Sequence, residues 1–337
     1  MDTRLLPNGN RVTIGAEGGS WVVDVNNRWV GRFQTTAPTE GRLAPALPVT
    51  EGANGQEDYV HGLRNALCGL FESRPDLARI ELELHASPDL DAAVRRAGVV
   101  LDGSGAYVCL RGMFRQQQDL WLTRPGGAAY PLCYTMTEGK RHPVRPPVGR
   151  GEVYGRFVSG LDTVVSFRTI DPVEDIEAFH RWMNTPRVAQ FWELGGSLEE
   201  HERYLQKVLS DPHMHPVVGC FDGEPFGYFE IYWAKEDRIA PYYEVDDYDR
   251  GIHMLVGEER FRGPHRVAAW LPSLAHFLFL DDARTRNVVA EPRADNAKMI
   301  GYLQRSGFYK SKEFDFPHKR AAMMILPRDV FFEQFCP

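Results

Sequence analysis

Residues 251–308 read GIHMLVGEERFRGPHRVAAWLPSLAHFLFLDDARTRNVVAEPRADNAKMIGYLQRSGF. A short apolar run, GIHMLVG, has the length of a strand and is followed by a polar loop, EERFRGPHR, and a long apolar helical stretch, VAAWLPSLAHFLFL. RNVVAEP then reads as a strand, NAKMIGYLQRSGF as an amphipathic helix, and KRAAMMIL downstream as a final strand. Strand, helix, strand, helix, strand is an α/β crossover arrangement.

Upstream, Asp171 is placed to cap a helix that begins at Pro172, with Glu174 three residues on and Ile176, Phe179 and Met183 at helical spacing. Ser197 and Glu200 repeat that signature as a capping box before HERYLQKVL. PVVGCFD, a Gly-Glu turn and FGYFEIYWA predict two antiparallel strands. The first half is rich in strand patterns (RVTIGAEG, SWVVDVNNRWVGRF, RIELELHA, AYVCLRG, DLWLTRPGG), with helical periodicity mainly near 57–72 and 89–97. Between the halves, TEGKRHPVRPPVGRGE carries three prolines, three glycines and many charges, which predicts a linker over 137–154. The expected organisation is a β-rich α/β domain over 1–136 and a second domain over 155–337. DAAVRRAGV in the first half faintly echoes MIGYLQRSGF in the second, the one hint of duplication.

Composition narrows the function classes. Hydrophobic residues at 43% and charged residues at 25% are those of a globular chain with enough apolar surface for packed cores. A net charge of −7 argues against a phosphate-backbone partner, so no nucleic acid is expected. No apolar run approaches the roughly 18 residues of a membrane span, and MDTRLLPNGN lacks a basic stretch followed by an apolar one. The expectation is a cytoplasmic protein without membrane contact. Five scattered cysteines (Cys68, Cys109, Cys133, Cys220, Cys336) suggest neither a disulfide framework nor zinc, and His213 with His215 lacks the ligand company of a metal site.

Three stretches carry chemistry. The loop between Gly257 and Val267 contains Arg260, Arg262, Gly263, His265 and Arg266 ahead of a helix. Helix N-terminal amides beside basic side chains make an anion site able to hold a pyrophosphate, although an ordinary surface turn has the same punctuation. His253 alternates with Ile252 and Met254 and so faces the other side of its strand. Both a hydrogen-bonded core histidine and a catalyst fit that position. Glu291 ends the second crossover strand, where ligands collect in open α/β sheets, and it is also placed to cap the next helix. In FGYFEIYWA, Glu230, Tyr232 and Ala234 share one face and Phe229, Ile231 and Trp233 the other. A carboxylate in an aromatic strand is costly to bury alone, so Glu230 is either paired within the fold or holds a substrate cation.

FHRWMNTPRVAQFWELGG, GYFEIYWAKEDRIAPYYEVDDYDRGIHMLVG and VVAEPRADNAKMIGYLQRSGF together resemble the hydroxamate-siderophore acetyltransferases of the GNAT superfamily, over about residues 155–335. The resemblance implies a GNAT fold, with a mixed, largely antiparallel sheet flanked by helices, and leaves the N-terminal part open to being a degenerate GNAT-like module. It implies acetyl-CoA as donor and no metal. The implied acceptor is a small N-hydroxylated amino acid or diamine, of the N-hydroxyornithine or N-hydroxylysine class. His253 matches the family's active-site histidine, expected as general base, and Glu291 its acidic partner; a backbone amide near Met254 to Val256 is expected to face the oxyanion. Leu255, Val256, Arg260, Arg262, Gly263, His265, Arg266 and Asn296 fall on cofactor positions, with His265 departing from the small residue usual at the end of the loop. Trp192, Glu230, Trp233 and Tyr242 are expected in the substrate pocket. Rival readings are a GNAT enzyme for a non-hydroxylated polyamine or other small amine and a non-catalytic acyl-CoA-binding protein. Completing the pocket, forming a homodimer and stabilising the catalytic half are all open roles for the N-terminal half.

Overall fold

The computed structural model describes residues 2–6, 10–17, 20–45, 53–84, 88–123 and 130–336. The chain divides into two compact units, one of residues 1–120 with 156–163, the other of 121–155 with 164–337. The sheet of the first comprises β1 (Asp2–Leu5), β2 (Arg11–Glu17), β3 (Ser20–Val25), β4 (Arg28–Ala37), β5 (Glu40–Pro45), β6 (Arg79–Leu82), β7 (Val99–Leu101) and β8 (Tyr107–Leu110), in the order β1-β2-β3-β4-β5-β6-β8-β7. Helix α1 (Ala53–Ser73) connects β5 to β6, and α2 (Pro88–Arg96) connects β6 to β7. Asn26 and Asn27, both at positive φ, turn β3 into β4, as a tight hairpin requires. The described part of DLWLTRPGG forms no strand: its start lies in a 3₁₀ turn over Gln118–Leu120, Leu122 makes an isolated bridge, and residues 124–129 lie outside the described residues.

The expected linker is folded. A hairpin pairs β9 (Tyr134–Thr137) with β10 (Lys140–Pro143), and beyond it Arg145 is buried in a two-pronged ion pair with Glu236, at 2.6 and 2.5 Å. Proline, glycine and charge signal a linker only when the charges stay in water. Here Arg145 also lies 4.3 Å over the Trp233 ring, where a guanidinium keeps both its apolar and its ionic contacts.

The second sheet repeats the strand order of the first. It runs β11 (Glu152–Val158), β12 (Thr163–Thr169), β13 (Met214–Phe221), β14 (Glu224–Trp233), β15 (Arg250–Val256) and β16 (Asn287–Ala290), then β18 (Arg320–Pro327) and, at the edge, β17 (Tyr309–Asp315). In both sheets the fifth and sixth strands are the parallel pair, with a helix crossover between them. The copies differ in two ways. Between β12 and β13 the second sheet carries α3 (Ile176–Met183), α4 (Pro186–Trp192) and α5 (Leu198–Ser210), whereas only two residues separate β2 from β3. In addition, β5 and β6 stay paired over four residues, whereas the register of β15 and β16 stops after Arg250↔Val288 and Gly251↔Val289. The edge of β15 beyond Gly251 therefore splays from its neighbour.

Local chemistry explains the second unit's elements. Ser197 accepts the Glu200 N–H and Glu200 returns a bond to the Ser197 N–H, so the expected capping box starts α5. Asp171 does not begin a helix. Its side chain accepts the N–H groups of Val173 and Glu174 in a turn, and α3 starts one turn later, behind Asp175, whose carboxylate is held by Arg168. The β13–β14 turn is Asp222-Gly223, both at positive φ, one residue before the expected Gly-Glu pair. Pro264 opens the crossover helix α6 (Pro264–Asp281), whose apolar length is buried almost throughout, and Asn296 caps α7 (Ala297–Arg305) by accepting the Met299 N–H at 3.1 Å. Phe179, Trp182, Leu205, Val218, Tyr228 and Leu255 pack α3 and α5 onto the sheet. Among the described residues no helix is long and apolar enough to cross a membrane.

Candidate active site

Glu230 and His253 stand directly opposite each other on β14 and β15, so the antiparallel register alone brings their side chains together. Glu291 follows the last residue of β16, at the C-terminal end of the strand that parts from β15. The three meet: Nδ1 of His253 lies 3.0 Å from Glu230 Oε2 and Nε2 lies 2.7 Å from Glu291 Oε1. The carboxylates are buried, while the imidazole keeps 22% of its surface exposed.

The second carboxylate oxygen of each acid is also engaged. Tyr204 and Tyr228 donate their hydroxyls to Glu230 Oε1, and Tyr232 donates to Glu291 Oε2 at 2.7 Å. Glu230 is thus paired within the fold. Tyr232 reaches Glu291 over Gly251, where a Cβ would come within 1.9 Å of the tyrosine ring. Burial works against charge on His253, but the negative charge of Glu291 and the hydrogen bonds to both carboxylates outweigh it and push the imidazole up to about 10. Burial likewise disfavours charge on Glu291, and the imidazolium, with help from Lys319 and Tyr232, overcomes it and holds the carboxyl at about 2. The ground-state arrangement is an imidazolium clamped between two carboxylates, unlike the neutral histidine with a free lone pair that a lone general base requires.

This clamp lines a cavity of about 580 Å³. Trp192 forms one wall, its ring edge-on to His253 with centroids 6.3 Å apart. Two expected pocket residues lie elsewhere. Trp233, three residues from Glu230, points to the opposite sheet face, between Arg145 and Arg250, as strand alternation demands. Tyr242 packs on Phe314 and Phe316, with ring centroids 4.4 and 5.0 Å away, and does not line the cavity. Sequence reasoning missed Tyr204, Arg238 and Lys319, which do line it. Tyr232 was legible as a partner for the acids, since it shares Glu230's face, but Arg238 and Lys319 come from loops without a pattern.

At the start of α6, Gly263 has φ +127° and no side chain caps the helix. Arg260 pairs with Glu224, Arg262 lies 3.8 Å from Glu259, and Arg266 lies over Phe221, its buried Nε without a hydrogen-bond partner among the described residues. Arg187, not expected from the sequence, donates to the Val256 carbonyl at 2.9 Å, and its buried Nε too has no hydrogen-bond partner among the described residues. Uncapped helix amides, a glycine and basic groups fit a phosphate-bearing ligand.

The acetyltransferase (GNAT) domain model matches residues 171–316. An N(6)-hydroxylysine O-acetyltransferase of Escherichia coli is 45% identical over 219 residues, 65% of this chain and 70% of the relative. The chain belongs to the GNAT acetyltransferase family. A hydroxyornithine transacylase of Ajellomyces capsulatus is 45% identical, over 61% of this chain and 49% of its own length. An N(5)-hydroxyornithine:cis-anhydromevalonyl coenzyme A-N(5)-transacylase of Beauveria bassiana is 48% identical, over 58% and 44%. The chain thus spans between 44% and 70% of these relatives. The GNAT match contains the whole clamp: Glu230, His253 and Glu291 all fall within it.

Proposed function

We propose that this protein transfers an acetyl group from acetyl-CoA to the hydroxylated side-chain nitrogen of a small amino acid or diamine, forming a hydroxamate for siderophore biosynthesis. The observation that carries the reading is the Glu230–His253–Glu291 clamp on the wall of a cavity, at the place where β15 parts from β16. The relatives named for hydroxylysine and hydroxyornithine supply the acceptor class.

The donor is assigned to the splayed edge of β15 at Leu255 and Val256, with its phosphates at Arg260, Arg262, Gly263, His265 and Arg266 and with Asn296 nearby on the cavity wall. The acceptor nitrogen attacks the thioester carbonyl, the carbon–nitrogen bond forms, the carbon–sulfur bond breaks, and the thiolate leaves to be protonated. A hydroxylamine is a weaker base than an amine, so its nitrogen enters largely neutral at physiological pH. It loses its proton after attack, when the nitrogen is strongly acidic and a carboxylate is base enough. We therefore assign proton uptake to the clamp, which holds one proton among three basic sites, in place of His253 alone. His253 faces the cavity and sets the geometry and charge of both acids, and a backbone amide between Met254 and Val256 is assigned to the oxyanion.

The test is thiol release from acetyl-CoA together with hydroxamate formation. The substrates are N-hydroxyornithine, N-hydroxylysine and their non-hydroxylated parents, with wild type and His253→Ala. Turnover of a hydroxylated acceptor, reduced at least tenfold in the variant, supports the reading. Turnover of the parent amines only would overturn the acceptor class, and a fully active variant would remove His253 from the chemistry.

A further inference from the structure

The clamp does not account for the positive wall beside it. Arg238, from the loop after β14, and His318 and Lys319, from the turn between β17 and β18, all line the same cavity. Buried Phe316 supports all three: the guanidinium lies 5.3 Å and the Lys319 ammonium 5.6 Å from its ring centre, and the His318 ring stacks on it at 5.5 Å. An aromatic platform fixes the two cations, Arg238 and Lys319, in place without neutralising them, while burial and those same two neighbours disfavour charge on His318.

The acids nearby do not neutralise them either. Glu291 already gives one oxygen to His253 and the other to Tyr232, and Lys319 reaches only its main-chain carbonyl, at 2.8 Å. Arg238 has one ion pair among the described residues, a long 3.7 Å contact with Glu291, and half its side chain is exposed. Arg293 is taken by Asp295. Asp237, which also lines the cavity, is engaged with the Ile239 N–H and with His213, and among the described residues it forms no ion pair with Arg238 or Lys319. Burial and the neighbouring Arg238 and Arg293 depress the Lys319 ammonium and outweigh Glu291 and Asp237, which favour it, so an added anion beside it would relieve this wall.

Resting on the acyl-transfer reading above, we propose that Arg238 and Lys319 bind the α-carboxylate of the acceptor, making this an enzyme for N-hydroxylated α-amino acids in preference to their decarboxylated diamines. Arg238 approaches the same Glu291 oxygen that holds His253. An anion on the guanidinium is therefore only a few side-chain atoms from a nitrogen placed at the clamp, the separation of the two ends of one amino acid. The phosphates of the donor are assigned to the start of α6, in a different segment. Guanidinium and carboxylate match in shape as well as charge, which suits Arg238 to the role better than a lysine would be.

The experiment compares acceptors that differ only by the carboxylate: N-hydroxyornithine against N-hydroxyputrescine, and N-hydroxylysine against N-hydroxycadaverine. The ratio of kcat/KM within each pair is measured for wild type, Arg238→Gln, Arg238→Lys and Lys319→Met. Wild type is expected to prefer the amino acid at least tenfold. Arg238→Gln should collapse that preference, mainly through KM, Arg238→Lys should retain part of it, and Lys319→Met should reduce it independently. Absence of a preference in wild type, or a preference unchanged in both Arg238→Gln and Lys319→Met, would overturn the carboxylate site while leaving acyl transfer intact. A role for Arg238 as mere counter-ion of the clamp predicts equal losses for both members of a pair and would overturn it too. Failure of every hydroxylated acceptor, amino acid or diamine, would defeat the underlying reading and this inference with it.

Discussion

Replacing Glu291 by Gln isolates the charge of the clamp. The side chain keeps its shape and an amide oxygen that can still accept from Tyr232, but His253 loses the nearer of its two carboxylates. The imidazole is raised from an ordinary value near 6.5 to about 10. At about 1.4 kcal/mol per pKa unit, that sets a ceiling near 5 kcal/mol, shared between Glu230 and Glu291, so the loss is about 2–3 kcal/mol. The exposed Arg238, at 3.7 Å, changes this little. The sign depends on pH in a defined way. His253 has a raised folded pKa, so its contribution is fully present below about 6.5 and is lost as pH rises through about 10. Glu291 has a depressed one, so its contribution is present above about 4.5 and is lost as pH falls through about 2. The stability gap between wild type and Glu291→Gln should therefore be widest between about pH 4.5 and 6.5 and narrow progressively towards pH 10. Urea unfolding at pH 5.5 and 9.5, followed by tryptophan fluorescence, measures it, because five of the seven tryptophans lie in the unit that holds the clamp. A gap that is the same at both values, or larger at pH 9.5, would refute the imidazolium clamp.

Two further outcomes follow from the same geometry. In NMR of histidine-labelled protein, with His253 assigned by its loss in His253→Gln, the His253 ring should show no titration between about pH 5.5 and 8.5; a midpoint near 6.5 would mean that the carboxylates do not hold its proton. Gly251→Ala should displace the Tyr232 ring, break its bond to Glu291 and lower both stability, by about 1–3 kcal/mol, and turnover; an alanine variant with wild-type unfolding and kinetics would show that the close approach at Gly251 is unimportant.

Much of the C-terminal unit was readable because its elements obey local rules. The order of elements from 251 to 305, the capping box at Ser197 and the placing of His253 on the strand face opposite Ile252 and Met254 each follow from periodicity or a short spacing, which the backbone enforces wherever the segment sits. Alternation also placed Trp233 opposite Glu230, and expecting both in one pocket went against that rule. Edge strand β17, with polar residues at most positions, gives little alternating signal, so it was missed.

What only the tertiary structure decided is convergence. Glu230, His253 and Glu291 come from three strands, and whether they meet depends on the register of β14 with β15 and on β15 parting from β16 after two residues, neither of which a single strand encodes. Their meeting changes the chemistry, since a histidine whose two nitrogens face carboxylates is held as a cation and a lone histidine is not. The same holds for the segment over 137–154, whose charges read as linker until Glu236 was found to receive Arg145, and for Arg238 and Lys319, two loop residues brought together by Phe316. Sequence spacing governs which face a side chain occupies. Its electrostatic partners, and hence its protonation and use, depend on segments far away along the chain.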